Sequence, residues 1–267
     1  MKIGCICGTF NRSFDAGLMD QVQLLRRCAT DLRVEGVELQ DIHFPQTRPA
    51  YLQMLRRTAR ELNLAIIGVG VHNDFGRADP TFRQSEMVKV KQWIEVAEQL
   101  DAPLVRVFAG YPEANPAQGG TQSGERWPAM IDSLREVSAY AGQAGIRLGL
   151  ENHNHGAFTP TVAEFLQVLD EVRSPHLVPL VDTGNFVDGW PSVEKALAIA
   201  SHLHAKFWKV AADGSDEKVD YARIFPALRA TGYDSWVSLE YEAEEPEATG
   251  IPRALAYLRR MVEGPCG

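Results

Sequence analysis

The sequence predicts an α/β protein folded as one closed (β/α)8 TIM barrel, and three observations predict it. Short apolar strands alternate with amphipathic helical stretches, at intervals of about 30 residues. Eight such strands can be counted along 267 residues, a length that α/β barrels commonly fill as a single unit. The later strands repeatedly end in a carboxylate or carry an imidazole, as barrel strands do when chemistry sits at their C-terminal ends. No shift in composition marks a boundary, so residues 1–267 are expected to form one domain. An open doubly wound sheet is the alternative, but no G-x-G-x-x-G follows the first strand.

Each element has its own signal. Lys2 to Gly8 reads as a short buried strand and Leu18 to Leu32 as an amphipathic helix. Gly36 to Gln40 is the second strand and Tyr51 to Leu62 the second helix. The third strand, Leu64 to Val71, leads into His72-Asn73-Asp74. A helix from about Gln84 to Leu100 follows, with Val88, Trp93, Val96 and Ala97 at helical spacing. Pro103 to Ala109 is the fourth strand and Gly145 to Glu151 the fifth. Leu177 to Asp182, Leu203 to Val210 and Trp236 to Glu240 complete the eight. Thr161-x-x-Glu164 has the pattern of a capping box, and Gly142, Gly145 and Gly232 fall near helix ends. One long irregular segment, Gly110 to Glu125, follows the fourth strand. A barrel would hang it over the mouth, as a lid or as a tolerated insertion.

Composition narrows the function classes. Lys and Arg number 27 against 35 Asp and Glu, for a net charge of -8, which invites neither nucleic acid nor an anionic membrane. No apolar run approaches a membrane span. The four cysteines, Cys5, Cys7, Cys28 and Cys266, form no C-x-x-C pair and read as reduced thiols. The chain opens on a charged residue and a short strand, with no signal-peptide pattern, so a cytoplasmic location is expected.

The chemistry is centred on Arg147-Leu148-Gly149-Leu150-Glu151-Asn152-His153. Alternation sends Leu148 and Leu150 to one face and Gly149, Glu151 and His153 to the other. The sixth strand likewise ends at Asp182 and turns through Thr183-Gly184-Asn185. The seventh carries His202, His204 and Lys206 on one face, and the eighth ends at Glu240. If Leu150, Val181, Leu203 and Leu239 face the helices, then Glu151, Asp182, His204 and Glu240 all point inward. Three converging carboxylates repel one another and are costly to desolvate, a cost that a divalent metal removes. Any one of these residues alone would read as a hydrogen-bonded core group. Four on consecutive strands read as metal ligands. Mn²⁺ is the first expectation, with Mg²⁺, Co²⁺ or Zn²⁺ as alternatives, although oxygen donors with one imidazole do not themselves choose among them. His202 competes with His204 but should lie deeper by about two strand rises of ~3.3 Å, beneath the metal.

With these residues the chain resembles the superfamily of xylose isomerase-like sugar isomerases and epimerases. That group includes ketose 3-epimerases, hydroxypyruvate isomerase, inosose dehydratase and, more distantly, endonuclease IV-type enzymes acting on abasic DNA. The resemblance runs nearly full length. It rests on Gly-Val-Glu-Leu at 36–39, Gly-Val-His-Asn at 70–73, Val-Arg-Val-Phe-Ala-Gly at 105–110, Leu-Glu-Asn-His at 150–153, Asp-Thr-Gly-Asn at 182–185, His-Ala-Lys at 204–206 and Leu-Glu-Tyr-Glu at 239–242. The family's metal ligands fall on Glu151, Asp182, His204 and Glu240, the set reached from the strand ends. There are two departures. Ketose 3-epimerases carry a His three residues after the metal-binding Asp, where this chain has Asn185. Many inosose dehydratases and hydroxypyruvate isomerases read H-x-K-D on the seventh strand, where Phe207 replaces the acid.

The resemblance implies isomerisation or epimerisation of a small keto or hydroxy sugar through a metal-stabilised enediolate. Glu151 and Glu240 would flank the substrate and serve as acid and base while also binding metal. Glu38, His72, Arg106, His153, Asn185 and Lys206 are the candidate substrate contacts, each with a plainer alternative. Glu38 and His72, at the ends of strands two and three, would face the mouth, there to bind substrate hydroxyls or to join a core polar network. Arg106 would more readily bond a metal-binding carboxylate than the substrate. His153 would orient Glu151 or touch substrate. Lys206 would bind a carboxylate or oxyanion, shuttle a proton if its pKa is lowered, or simply pair with Glu240. Trp190, Trp208 and Trp236 would line the site or pack the core. A lyase on the same scaffold, a dehydratase or deglycosidase, would take the same proton and then expel a β-leaving group. Cleavage of abasic DNA is disfavoured by Asn185, by Arg106 and Phe108 where a further His is needed, and by the net charge. A metal-binding protein without activity is disfavoured by the presence of both Glu151 and Glu240. A homo-oligomer is expected of the family, and no phosphate-binding signature follows strands seven and eight.

Overall fold

The computed structural model describes residues 1–112, 126–154 and 156–264. Its strands are β1 (Lys2–Ile6), β2 (Gly36–Gln40), β3 (Ala65–Gly70), β4 (Leu104–Val107), β5 (Arg147–Glu151), β6 (Leu177–Asp182), β7 (His202–Phe207) and β8 (Trp236–Tyr241). All pair in parallel with their sequence neighbours, and β8 returns to β1, so the sheet closes on itself. The helices are α1 (Asn11–Asp15), α2 (Gln21–Arg26), α3 (Pro49–Glu61), α4 (Pro80–Leu100), α5 (Arg126–Gln143), α6 (Val162–Val172), α7 (Trp190–Leu197), α8 (Tyr221–Ala230) and α9 (Glu247–Glu263). They form the outer layer. The expected (β/α)8 barrel is the observed one.

Alternation along each strand separates two environments. Val37, Leu39, Val69, Val105, Leu148, Leu150, Val181, Leu203, Val237 and Leu239 are fully buried and belong to the core beneath the helices. Inside the barrel the filling changes with height. At the base Ile67 is the extra residue of a β-bulge, since Val37 pairs with Ile66 but Glu38 with Gly68. Its side chain fills the space that Gly4 and Gly36 leave, where an added Cβ would come within 2.7 Å of it. Above this apolar floor the interior turns polar, with Glu38, Arg106, Glu151, Asp182, His202, His204, Lys206, Ser238 and Glu240 all buried.

Several helix boundaries differ from expectation for local reasons. The first long helix starts at Gln21, because Asp20 and Gln23 form a reciprocal capping box; Leu18 lies outside it, 76% exposed. It then continues as a π-helical turn, Arg27–Asp31. Asp79 caps α4 by accepting from Thr81 N–H, and Pro80 sits where its missing N–H costs nothing. The buried residues of α4 are Met87, Val90, Ile94, Val96, Ala97 and Leu100, while Val88 is on the outer face. Thr161 caps α6 through Ala163 N–H at 3.2 Å, but Glu164 bonds the Thr161 hydroxyl instead of the backbone, so no reciprocal box forms there. Gly145 and Gly232 end their helices with φ of +70° and +77°, as glycine readily does, whereas Gly142 lies inside α5 against His176. Cys5, Cys7 and Cys28 are buried free thiols. Cys266 and most of the 110–125 segment fall outside the described residues. Among the described residues, no helix is long and apolar enough to cross a membrane.

Candidate metal centre

Four neighbouring strands meet at one point in the upper barrel. Register sets Asp182 beside His204 across β6 and β7, and Lys206 beside Glu240 across β7 and β8. Glu151 closes β5. One donor atom from each of Glu151, Asp182, His204 and Glu240 lies within 4.8 Å of the others, and all four residues are buried. His204 Nδ1 is 3.3 Å from Glu151 Oε1 and 3.2 Å from Glu240 Oε2. Asp182 Oδ1 accepts Gly184 N–H at 2.7 Å, which leaves Oδ2 pointing at the cluster. Asp182 Oδ2 and Glu240 Oε2 are buried without a well-directed hydrogen bond, an expensive condition for carboxylate oxygens. Three oxygen donors and one imidazole of this arrangement fit a divalent cation.

Opposed charges hold the cluster together. Burial pushes the Asp182 carboxyl well above the usual carboxylate range, and Glu240 and Glu151 reinforce this against the pull of Lys206. Burial works the same way on Glu240 and Glu151, but there it is outweighed. Lys206 and His204 hold Glu240 well below the usual range, and His204 with Arg106 holds Glu151 below it. Burial disfavours a charged His204, yet Glu38 on one side and Glu151 on the other raise it well above its ordinary value. The Lys206 ammonium is likewise favoured, despite burial, by Asp182, Glu240 and Glu242.

The other predicted residues separate by height. Arg106 lies beside the cluster, with Nε 3.2 Å from Glu151 Oε2 and Nη1 donating to Val71 O at 3.1 Å. Its guanidinium covers the Phe108 ring at 4.2 Å and occupies the space that the missing Gly70 side chain leaves. Lys206 Nζ is 2.9 Å from Glu240, the plain ion pair, and also 3.4 Å from Asp182 and 2.7 Å from Glu242. His153 sits edge-on to Phe108 and Tyr111, with Nδ1 3.1 Å from Asn154 O; burial pushes its imidazole below the ordinary value. His72 is half-exposed, with Nδ1 2.6 Å from Asp41 Oδ1, and stands edge-on to the same Phe108. These rings make an aromatic rim next to Glu151. Asn185 is buried, its amide donating to Asn152 O at 3.4 Å.

Glu38 departs from expectation. It does not face the mouth: β2 runs on to Gln40, and Glu38 is fully buried below the cluster, bonded to His202 and His204. The core-network alternative describes it. Residues that sequence reasoning passed over also contribute. Asn152 clamps the Asp182 backbone, donating to its carbonyl at 3.0 Å and accepting its N–H at 2.7 Å. Glu242 follows β8 directly, two residues after Glu240, and reaches the same Lys206 at 2.7 Å, a spacing that could have revealed it. Of the three tryptophans considered, Trp208 stacks near Lys206 Nζ at 5.0 Å. Trp236 packs at the base beside Lys2, and Trp190 against Arg223.

A family described as a xylose isomerase-like TIM barrel matches residues 27–261. Inosose dehydratase of Geobacillus thermodenitrificans strain NG80-2 is 24% identical over 168 residues, 54% of this chain and 56% of that protein; the match thus spans little more than half of the relative. Among solved structures, D-psicose 3-epimerase from Clostridium cellulolyticum H10 superposes with a TM-score of 0.81 at 17% identity, covering 98% of this chain and 99% of the other. The 3-keto-D-glucoside 4-epimerase of E. coli gives 0.80 at 19% identity, with 97% and 99% covered. At these identities the likeness establishes the fold.

Proposed function

Because this chain belongs to the xylose isomerase-like TIM barrel family, we propose that it is a divalent-metal-dependent isomerase or epimerase of a small keto or hydroxy sugar. The observation that carries this reading is the pair Glu151 and Glu240. Their carboxylates converge on His204 Nδ1, at 3.3 and 3.2 Å, and both are favoured as ionised groups. Glu151, Asp182, His204 and Glu240 would hold the cation, Mn²⁺ foremost, which supplies Lewis acidity toward the substrate carbonyl. Glu151 removes the proton on the carbon beside that carbonyl, and Glu240 returns one from the opposite side. Arg106, 3.2 Å from Glu151 Oε2, aims that carboxylate and keeps it charged. The ammonium of Lys206 does the same for Glu240 and is near enough to steady an oxyanion. The rim of His72, Phe108, Tyr111 and His153 offers a sugar ring an apolar wall and two polar tips.

A lyase outcome is the second reading, favoured by the 24% identity to an inosose dehydratase. The first proton abstraction is common to both; the fate of the carbanion differs. The test is a panel of free ketoses, keto-inositols and 3-keto-glycosides in D₂O with Mn²⁺, followed by NMR. Deuterium is expected to enter a carbon beside the carbonyl with the wild type, and to fall at least a hundredfold, about 3 kcal/mol of barrier, in Glu151→Gln and Glu240→Gln. Products then distinguish epimer from dehydrated sugar. Exchange that survives both substitutions would remove the two carboxylates from the mechanism.

A further inference from the structure

Beneath the four donors lies a second buried group that the proposed reaction does not use: Glu38, His202 and Ser238, joined to His204. Glu38 Oε1 is 2.7 Å from His202 Nε2, and Glu38 Oε2 is 3.1 Å from His204 Nε2. Ser238 Oγ stands 3.2 Å from the same His202 nitrogen. All are at most 4% exposed, so no substrate reaches them. The place is shaped for them. Gly68 faces Glu38 across the β2–β3 bulge, where an added Cβ would stand 3.4 Å from Oε2, and Gly4 leaves the room that Ser238 Oγ needs.

We infer that Glu38 is a positioning residue for the cation: it anchors His204 Nε2–H from below and so commits Nδ1 to the carboxylate cluster above. This rests on the ligand set proposed above. A cation among the upper carboxylates needs a lone pair on Nδ1, so the one proton the neutral ring then keeps lies on Nε2, where the Glu38 carboxylate, which can only accept, receives it. Nδ1 is the atom that lies 3.3 Å from Glu151 Oε1 and 3.2 Å from Glu240 Oε2. A ligand histidine whose other nitrogen donates to a carboxylate gains both a fixed ring orientation and a more basic donor atom. His202, donating to the other Glu38 oxygen, keeps the carboxylate from swinging away. A second cation held by Glu38, His202 and His204 is the rival use of these atoms. The 2.7 Å separation of Glu38 Oε1 and His202 Nε2 is that of a charge-assisted hydrogen bond, which already occupies the atoms such a cation would need.

The test is titration of the purified, chelator-stripped protein with Mn²⁺, with free Mn²⁺ read by electron paramagnetic resonance. Wild type is expected to bind one equivalent. Glu38→Gln should bind one equivalent about 10- to 100-fold more weakly, with its secondary structure and cooperative unfolding retained. A merely structural role for Glu38 would lower the unfolding midpoint and leave the Mn²⁺ affinity unchanged, and that result overturns the inference while the ligand set stands. Wild type that binds no Mn²⁺ overturns both. Two equivalents in wild type and one in Glu38→Gln would mark a second cation site and also overturn it. Where Glu38→Gln does not fold, Glu38→Asp decides: its shorter arm cannot span both histidines, so undiminished affinity in that variant counts against the inference.

Discussion

At the scale of single residues, the charge balance of the site turns on Lys206. Its ammonium contacts Glu242, Glu240 and Asp182 at 2.7, 2.9 and 3.4 Å, on a side chain only 3% exposed. Water cannot replace it there, and removing one member of a buried ion pair typically costs about 3–5 kcal/mol because the partner's charge is stranded. Lys206→Met is therefore expected to lose about that much stability in urea unfolding with a chelator present. The loss should be clearly smaller in excess Mn²⁺, where the cation takes over Asp182 and Glu240. Equal losses under the two conditions would mean that ammonium and cation do not share those carboxylates. The faces of Glu151, Asp182, His204, Lys206 and Glu240 were readable in advance because a period of two admits only two faces, and apolar neighbours occupy one of them. Height was not readable. Glu38 was expected at the mouth, but strand alternation says nothing about how far along the barrel axis a residue sits. The bulge at Ile67 that shifts the β2–β3 register is signalled in the sequence only by the neighbouring Gly68, and a strand glycine marks a bulge or a close approach without saying which.

At the scale of elements, the ends of neighbouring strands are tied by polar side chains. Asp41 follows β2 directly and binds the chain that leaves β3. Its Oδ2 accepts His72 N–H at 3.1 Å, and its Oδ1 faces His72 Nδ1 at 2.6 Å. Lys89 of α4 stands 3.5 Å from the same carboxylate and also donates to the His72 carbonyl. Burial alone would raise the Asp41 carboxyl, but the hydrogen bond and charge of His72, with Lys89, bring it below its ordinary value. A folded-state value below the unfolded one, which is about 3.9, gives stability that is fully present above the unfolded value. That stability is lost as the pH falls through the folded one. Asp41→Asn should thus cost about 1–2 kcal/mol near neutral pH, and the gap to wild type should narrow as unfolding is measured below about pH 4. A gap that stays constant through that range would mean the carboxylate charge contributes nothing. Helix boundaries were the least readable part of the elements. Asp20, Asp79 and Thr161 each had the residue type of a cap, yet which backbone N–H each satisfies depends on the direction from which the chain arrives.

At the scale of the whole molecule, the closed barrel is what makes a cation site possible. Its candidate donors are 89 residues apart at the extremes, from Glu151 to Glu240, and come from four separate strands. The unfolded chain therefore has no such site, and a cation bound only by the folded form must stabilise it by mass action. At a hundredfold excess over Kd this amounts to about 2.7 kcal/mol. For a chain of this size that is a rise in Tm of about 5–10 °C. Calorimetry of chelator-stripped protein with and without Mn²⁺ measures it directly. The same comparison in Asp182→Asn separates the site from weak surface binding, because Asp182 is fully buried and its loss cannot disturb exposed acidic groups. Wild type should show the rise and Asp182→Asn should lose most of it. An identical rise in both would place the cation elsewhere on a surface of net charge -8. No rise in either would mean that Arg106, His204 and Lys206 already neutralise the carboxylates well enough for the barrel to stand without a metal.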